Sequence, residues 1–316
     1  MRATLEQHQV WIYLTAILVG LAIGWGSPDT TQRWEIWLWP LLGVLLYTTF
    51  TQVPLLHLTR AFRDRRFMMA LMVGNFLLVP LAVAALSLLL PEQPAIRLGV
   101  LLVLLVPCTD WFISFAHLGR GDSARAIAAA PLLLLVQLVM LPLYVWWLMG
   151  DLAIELTAGS HLLAAFSGLI VTPLILAWLT ERVAERHIVI EEVVDELGWL
   201  PIPLLALVVF LIAGSQVSLV VDNGMLLWRV VAVFVLYLVV AAALGKLLSQ
   251  AFRLPAATGR TLTFSLGTRN SFVMLPLALS LPEAWSAAVV VIVLQSLVEL
   301  FGMVAFLRWV PTRLIK

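Results

Sequence analysis

Apolar stretches of bilayer length dominate this chain, and only short charged connections separate them. A helix needs about 20 mostly apolar residues, within a range of about 17 to 25, to cross the hydrocarbon core of a membrane. Ten stretches qualify: residues 9–25, 36–57, 67–90, 98–118, 126–149, 161–180, 197–221, 230–245, 261–281 and 284–307. A hydrophobic share of 62% and a mean hydropathy of +1.04 exclude a soluble domain, whose apolar share is about 45–50%. These features predict an all-α polytopic membrane protein with the lipid bilayer as its surroundings and no nucleic-acid partner. The first stretch has no small-residue cleavage site after it and reads as a retained span.

Charge placement predicts the topology. Fifteen basic residues, from Arg2 through the Arg60–Arg66 cluster to Lys316, fall on one side of the expected spans, and Arg33, Arg97 and Arg229 fall on the other. Short loops rich in Lys and Arg stay inside. Both termini are therefore expected in the cytoplasm, in a multi-pass protein of the cell (plasma) membrane. Five spans lie in residues 1–150 and five in residues 151–316. Because five is odd, the second half enters the membrane inverted relative to the first, the sequence pattern of an inverted-repeat transporter. Tryptophans such as Trp25, Trp34, Trp37 and Trp228 fall near span ends and are expected as interfacial anchors.

Within the spans only Asp110, Arg269 and Glu299 are charged. A charge at such depth costs at least about 2.5–3.5 kcal/mol, so it faces protein or a watery cavity. Asp110 sits in Pro107-Cys108-Thr109-Asp110 of the fourth span, and Arg269 in Ser265-Leu266-Gly267-Thr268-Arg269-Asn270-Ser271 of the ninth. Pro107 lacks a backbone donor and Gly267 lacks a side chain, so both spans are expected to be discontinuous and to cross near the midplane, forming a cradle for an ion or solute. The alternatives are that Pro107 and Pro276 merely kink continuous helices, that Cys108 is a small buried hydrophobe, and that Asp110 and Arg269 form a structural ion pair. Glu299, one turn after Gln295, lines the cavity or faces a neighbouring helix. Gln137, Asn75 and Ser215 read as interhelical hydrogen bonders. Cys108 is the one cysteine, which excludes an intrachain disulfide and a multi-cysteine metal site.

With these motifs the chain resembles the bile acid/sodium symporter superfamily, and within it the arsenical-resistance (arsenite efflux) permease branch. The resemblance rests on ten spans in two halves, on Pro-Cys-Thr in the fourth span followed by Leu-Gly-Arg-Gly-Asp, and on Asn-Ser in the ninth. It implies a core domain of spans 3–5 and 8–10 and a panel domain of spans 1, 2, 6 and 7 that move relative to each other. It also implies that the Cys108 thiol is a transient contact for trivalent arsenic. Where sodium-coupled relatives carry an acid and a glutamine, this chain has Ser265 and Arg269, so little dependence on sodium is expected. The expected function is secondary active transport by alternating access: proton-coupled arsenite or metalloid efflux by antiport, or alternatively transport of an organic or inorganic anion. The expected solute and ion contacts are Cys108, Thr109, Asp110, Ser265, Thr268, Arg269, Asn270, Ser271 and Glu299. No enzymatic activity, cofactor or resident metal is expected, and a homo-oligomer is compatible with the sequence.

Overall fold

The computed structural model describes residues 2–27, 30–31, 33–57, 64–109, 111–150, 167–217 and 224–316. Among these the regular structure is helical, with one isolated backbone bridge between distant segments. Helix α1 spans Arg2–Gly26 and α2 spans Glu35–Phe50. α2 ends earlier than the expected second span, because Pro54 disfavours helical backbone at Val53 and the chain continues as a short 3-10 turn over Leu55–His57. α3 (Arg65–Ser87) contains a π turn over Gly74–Leu78. The fourth expected span is two helices, α4 (Pro94–Leu104) and α5 (Trp111–Leu118), and α6 covers Ser123–Met149.

In the second half a π turn over Ser167–Val171 leads into α7 (Thr172–Ala184). Next comes an acidic helix absent from the sequence reading, α8 (Ile188–Leu197), which buries none of its residues. α9 (Pro201–Ser215) and α10 (Gly224–Ala251) follow. α10 outruns the expected eighth span, so Lys246 lies on a helix rather than in a connection. The ninth expected span is again broken, into α11 (Ala256–Gly267) and α12 (Ser271–Leu279), and α13 (Ala287–Trp309) closes the chain with a final π turn. The proposed boundary at residues 150/151 and parts of the sixth and seventh expected spans border or fall on residues outside those described. Among the described residues five stretches are long and apolar enough to cross a membrane: Arg65–Ser87, Ser123–Met149, Ile188–Ser215, Leu226–Ala251 and Glu283–Leu314.

Packing divides the helices. α1 lies against α9, and α2 lies against α7 and α9. The α1–α9 contact is close because Gly20 and Gly24 share one face: a Cβ on Gly24 would come within 2.3 Å of the Gly214 carbonyl oxygen. In the other group α4 packs on α13, and α10 packs on α11 and α13. Gly99 makes the α4–α13 approach possible, since a Cβ there would lie 2.9 Å from the Ala288 backbone. Large apolar side chains including Leu88, Val139, Val239 and Trp228 point outward, as they do in helices clothed by lipid. Trp25, Trp37 and Trp228 are exposed near helix ends, as expected of anchors. Trp34 departs from that expectation: it stacks on Phe210 with ring centroids 5.1 Å apart and fills the space beside Gly214.

One end of the second group is stapled by charge. Asp64 caps α3 by accepting from the Phe67 N–H at 3.1 Å, and Asp122 caps α6 by accepting from the Arg125 N–H at 3.0 Å. The Arg125 guanidinium joins the two caps, with Nε 2.8 Å from Asp64 and Nη1 on Asp122. The Asp122 N–H in turn donates to the Thr261 hydroxyl at 2.6 Å, tying the turn after α5 to α11.

Candidate functional site

The two interruptions meet. Residues 106–108 and 268–270 run antiparallel and pair through a bridge between Pro107 and Arg269. The Cys108 N–H donates to Thr268 O at 3.3 Å and the Asn270 N–H donates to Val106 O at 2.9 Å. Both bonds come from residues flanking the bridge, so the missing donor of Pro107 costs nothing at this position. Four helix ends converge as a result. α4 and α11 end here and present carbonyls, while α5 and α12 begin here and present N–H groups. Each end carries about half an elementary charge, negative at the carbonyls and positive at the N–H groups. The broken helices are therefore not proline kinks.

Arg269 serves the carbonyl ends. Its side chain is 2% exposed, and Nη2 donates to Ser265 O at 2.7 Å, Leu266 O at 2.9 Å and Asn75 Oδ1 at 2.9 Å. Nη1 reaches Leu104 O, the end of α4, at 3.4 Å. The Tyr237 ring lies beneath the guanidinium, 5.6 Å from Cζ, and its hydroxyl donates to Leu266 O at 2.7 Å. A charge this deep persists only when its donors are satisfied, and neutral oxygens do most of that here. Asp110, the expected ion-pair partner, lies outside the described residues.

Asn75 reaches Arg269 through a local irregularity of α3. Pro80 cannot supply an N–H to Phe76 O, and the Tyr144 hydroxyl donates to that carbonyl instead. The neighbouring π turn over Gly74–Leu78 presents Asn75, whose Nδ2 donates to Ser265 Oγ and to Leu71 O, each at 3.2 Å. On the other flank a chain of hydrogen bonds leads into α13. Ser271 Oγ donates to Gln295 Oε1 at 2.6 Å, and Gln295 Nε2 donates to Glu299 Oε2 at 2.6 Å. The same Glu299 oxygen accepts from the Arg269 backbone N–H at 2.8 Å. Glu299 therefore faces the crossing, not an unrelated neighbour. Thr268 turns its hydroxyl back to Phe264 O at 2.8 Å.

At the N–H ends the donors are left over. Asn270 caps α12 by accepting from the Val273 N–H at 3.2 Å, but its Nδ2 is buried without a hydrogen-bond partner among the described residues. Thr109 Oγ1 and Arg269 Nε are likewise buried with no partner among the described residues. Each such group costs about 1–3 kcal/mol if nothing pairs with it. Cys108 is buried beside them at 1% exposure. Gln137, expected to bridge helices, has no hydrogen-bond partner for its amide nitrogen or oxygen among the described residues, and Ser215 bonds back to Ile212 O of its own helix.

The structure thus brings Cys108, Thr109, Ser265, Thr268, Arg269, Asn270, Ser271 and Glu299 around one crossing. Sequence reasoning missed Asn75 and Tyr237 as members of this site. A polar residue next to Gly74 in an otherwise apolar run was the signal for Asn75, but the π turn that aims it is not visible in the pattern. For Tyr237 there was no signal.

Residues 39–223 match the Sodium Bile acid symporter family, more than half of the 316-residue chain. The matched stretch contains Asn75 and the α4–α5 break and stops before the α11–α12 break. Among curated proteins none matches the chain.

Proposed function

The chain belongs to the Sodium Bile acid symporter family, and from that premise we propose that it carries a small anion across the membrane by alternating access, seating the anion where α5 and α12 begin. It is a multi-pass membrane transporter of the bile acid/sodium symporter type. The carrying observation is the pair of donors left over beside the starts of α5 and α12, Asn270 Nδ2 and the Thr109 hydroxyl, which have no partner among the described residues. Arg269 itself is not a free anion seat, because Nη1 and Nη2 are committed to carbonyls and Asn75. The two packing groups, α1, α2 and α7–α9 against α3–α6 and α10–α13, are the parts that move. Two inverted halves with cytoplasmic termini in the cell membrane agree with the basic residues of the connections.

Protons are the coupling ion in this reading. The two carbonyl ends and Arg269 cancel, and the two N–H ends and the Glu299 carboxylate cancel, each at about one charge. A bound anion then adds one negative charge to these described groups, which a proton delivered to Glu299 removes. A second reading, arsenite or metalloid efflux, is favoured by the position of Cys108, the one thiol of the chain, beside the bridge.

Proteoliposomes test both. Uptake of small carboxylates and of arsenite is measured under imposed proton and sodium gradients. The anion reading expects carboxylate uptake that follows the proton gradient and falls at least about tenfold in Asn270→Asp, which keeps the α12 cap but loses the donor and adds a negative charge. Unchanged carboxylate uptake in Asn270→Asp overturns it. Arsenite transport abolished by Cys108→Ser selects the metalloid reading instead.

A further inference from the structure

The family's description implies sodium, and the residues at the crossing do not fit a sodium ion. We infer that Arg269 is the resident cation of this protein: its guanidinium fills the oxygen seat that a hard cation would take. The seat is an all-oxygen donor set, Asn75 Oδ1 with the carbonyls of Ser265, Leu266 and Leu104, at 2.7–3.4 Å from the guanidinium nitrogens. Such a set suits a hard cation, and a carbonyl cluster at two helix C-termini needs a positive charge. The positive charge is already covalently present and 2% exposed, and its guanidinium nitrogens already donate to all four of these oxygens. Around it, Tyr237 places its ring face against the guanidinium, and its hydroxyl holds one of the seat's carbonyls in place.

This has a direct corollary. Truncating Arg269 removes the cation and leaves the four oxygens facing a vacated hollow, which then accepts a monovalent metal ion from solution. The inference does not depend on which solute is carried, since it concerns only the carbonyl ends of the crossing.

The test is thermal unfolding of the purified full chain in detergent, in sodium chloride against choline chloride at equal ionic strength. The wild type is expected to melt at the same temperature in both salts. Arg269→Ala is expected to melt lower in choline and to gain about 2 °C when sodium at about tenfold its dissociation constant replaces it. The double substitution Asn75→Ala with Arg269→Ala is expected to lose most of that gain. A sodium-specific rise in the wild type overturns the inference, as does a folded Arg269→Ala that responds equally to both salts. Should Arg269→Ala not fold, Arg269→Gln takes its place, with the same expectations and the same refuting result. Failure of anion transport leaves these melting results unaffected, so the two proposals fail separately.

Discussion

Removing the amide of Asn75 tests how the buried guanidinium is held. Asn75 supplies the Oδ1 that accepts from Arg269 Nη2 at 2.9 Å, and its Nδ2 holds Ser265 Oγ at 3.2 Å. Asn75→Leu is close in volume, so its cost is chiefly polar. A hydrogen bond to a charged group contributes about 1.5–3 kcal/mol, and a neutral interhelical one within a membrane about 0.6 kcal/mol. The variant is therefore expected to lose about 2–4 kcal/mol, a fall of roughly 3–6 °C in melting temperature for a chain of this size. Cys108 provides the assay: it is the one cysteine, 1% exposed and hydrogen-bonded across the bridge, so a thiol-reactive dye reports the opening of the crossing itself. Asn75→Asp keeps an acceptor and adds a counter-charge, and it is expected to melt well above Asn75→Leu. A loss below about 2 °C in Asn75→Leu, or equal damage from both substitutions, would refute the assignment of Asn75 as a main support of Arg269.

Three further outcomes follow from the geometry. Gly24→Leu is expected to disrupt the α1–α9 contact, where even a Cβ would lie 2.3 Å from Gly214 O, costing about 1–3 kcal/mol or more as lowered melting temperature, with the α10–α13 region unchanged in hydrogen exchange. Glu299→Gln removes the charge from the acceptor of the Arg269 N–H at 2.8 Å and is expected to lower stability by about 1–2 kcal/mol while flattening the pH dependence of transport. Partial burial pushes the Asp64 carboxyl upward, but the Phe67 N–H and the Arg125 guanidinium outweigh it and hold it below the usual carboxylate range. Its folded-state value being depressed, the cap's contribution is complete above the unfolded carboxylate value and is lost as the pH falls through the folded one. Exchange protection of the Phe67 amide should fall in that acid window, and in Asp64→Ala the protection should be low at every pH.

Much of this architecture was legible because lipid leaves few choices. Bilayer-length apolar runs predicted helices that the described residues largely form, and a proline or glycine beside a charge predicted breaks in the fourth and ninth spans, which the chain shows at 105–109 and 268–270. Arg269 and Glu299 stood out because a buried charge is costly enough to be informative. What the pattern could not carry was orientation. Arg269 points to carbonyl ends that exist only once both helices have unwound and crossed, and Asn75 is aimed by a π turn whose hydrogen-bond register has no compositional signature. Helix α8 escaped for a different reason: its acidic residues interrupt the apolar run before residue 197, and a span-by-hydropathy reading passes over an amphipathic helix that buries nothing.

The place of Arg269 also bears on energetics. A dissociable cation in the carbonyl seat binds on one side of a membrane and leaves on the other, and so transmits the free energy of its gradient, about 1.4 kcal/mol for each tenfold concentration ratio. A guanidinium attached to the backbone stabilises the same crossed helices but returns unchanged with every cycle, and it transmits nothing. Net accumulation of solute must then be driven through a group that exchanges with water. Of the described charges inside the expected spans, Glu299 is the one carboxylate, and its hydrogen bonds through Gln295 to Ser271 lead to the start of α12. If Arg269 is the resident cation, as proposed, transport without a sodium requirement leaves this carboxylate, tied to the start of α12, as the group that must exchange protons with water.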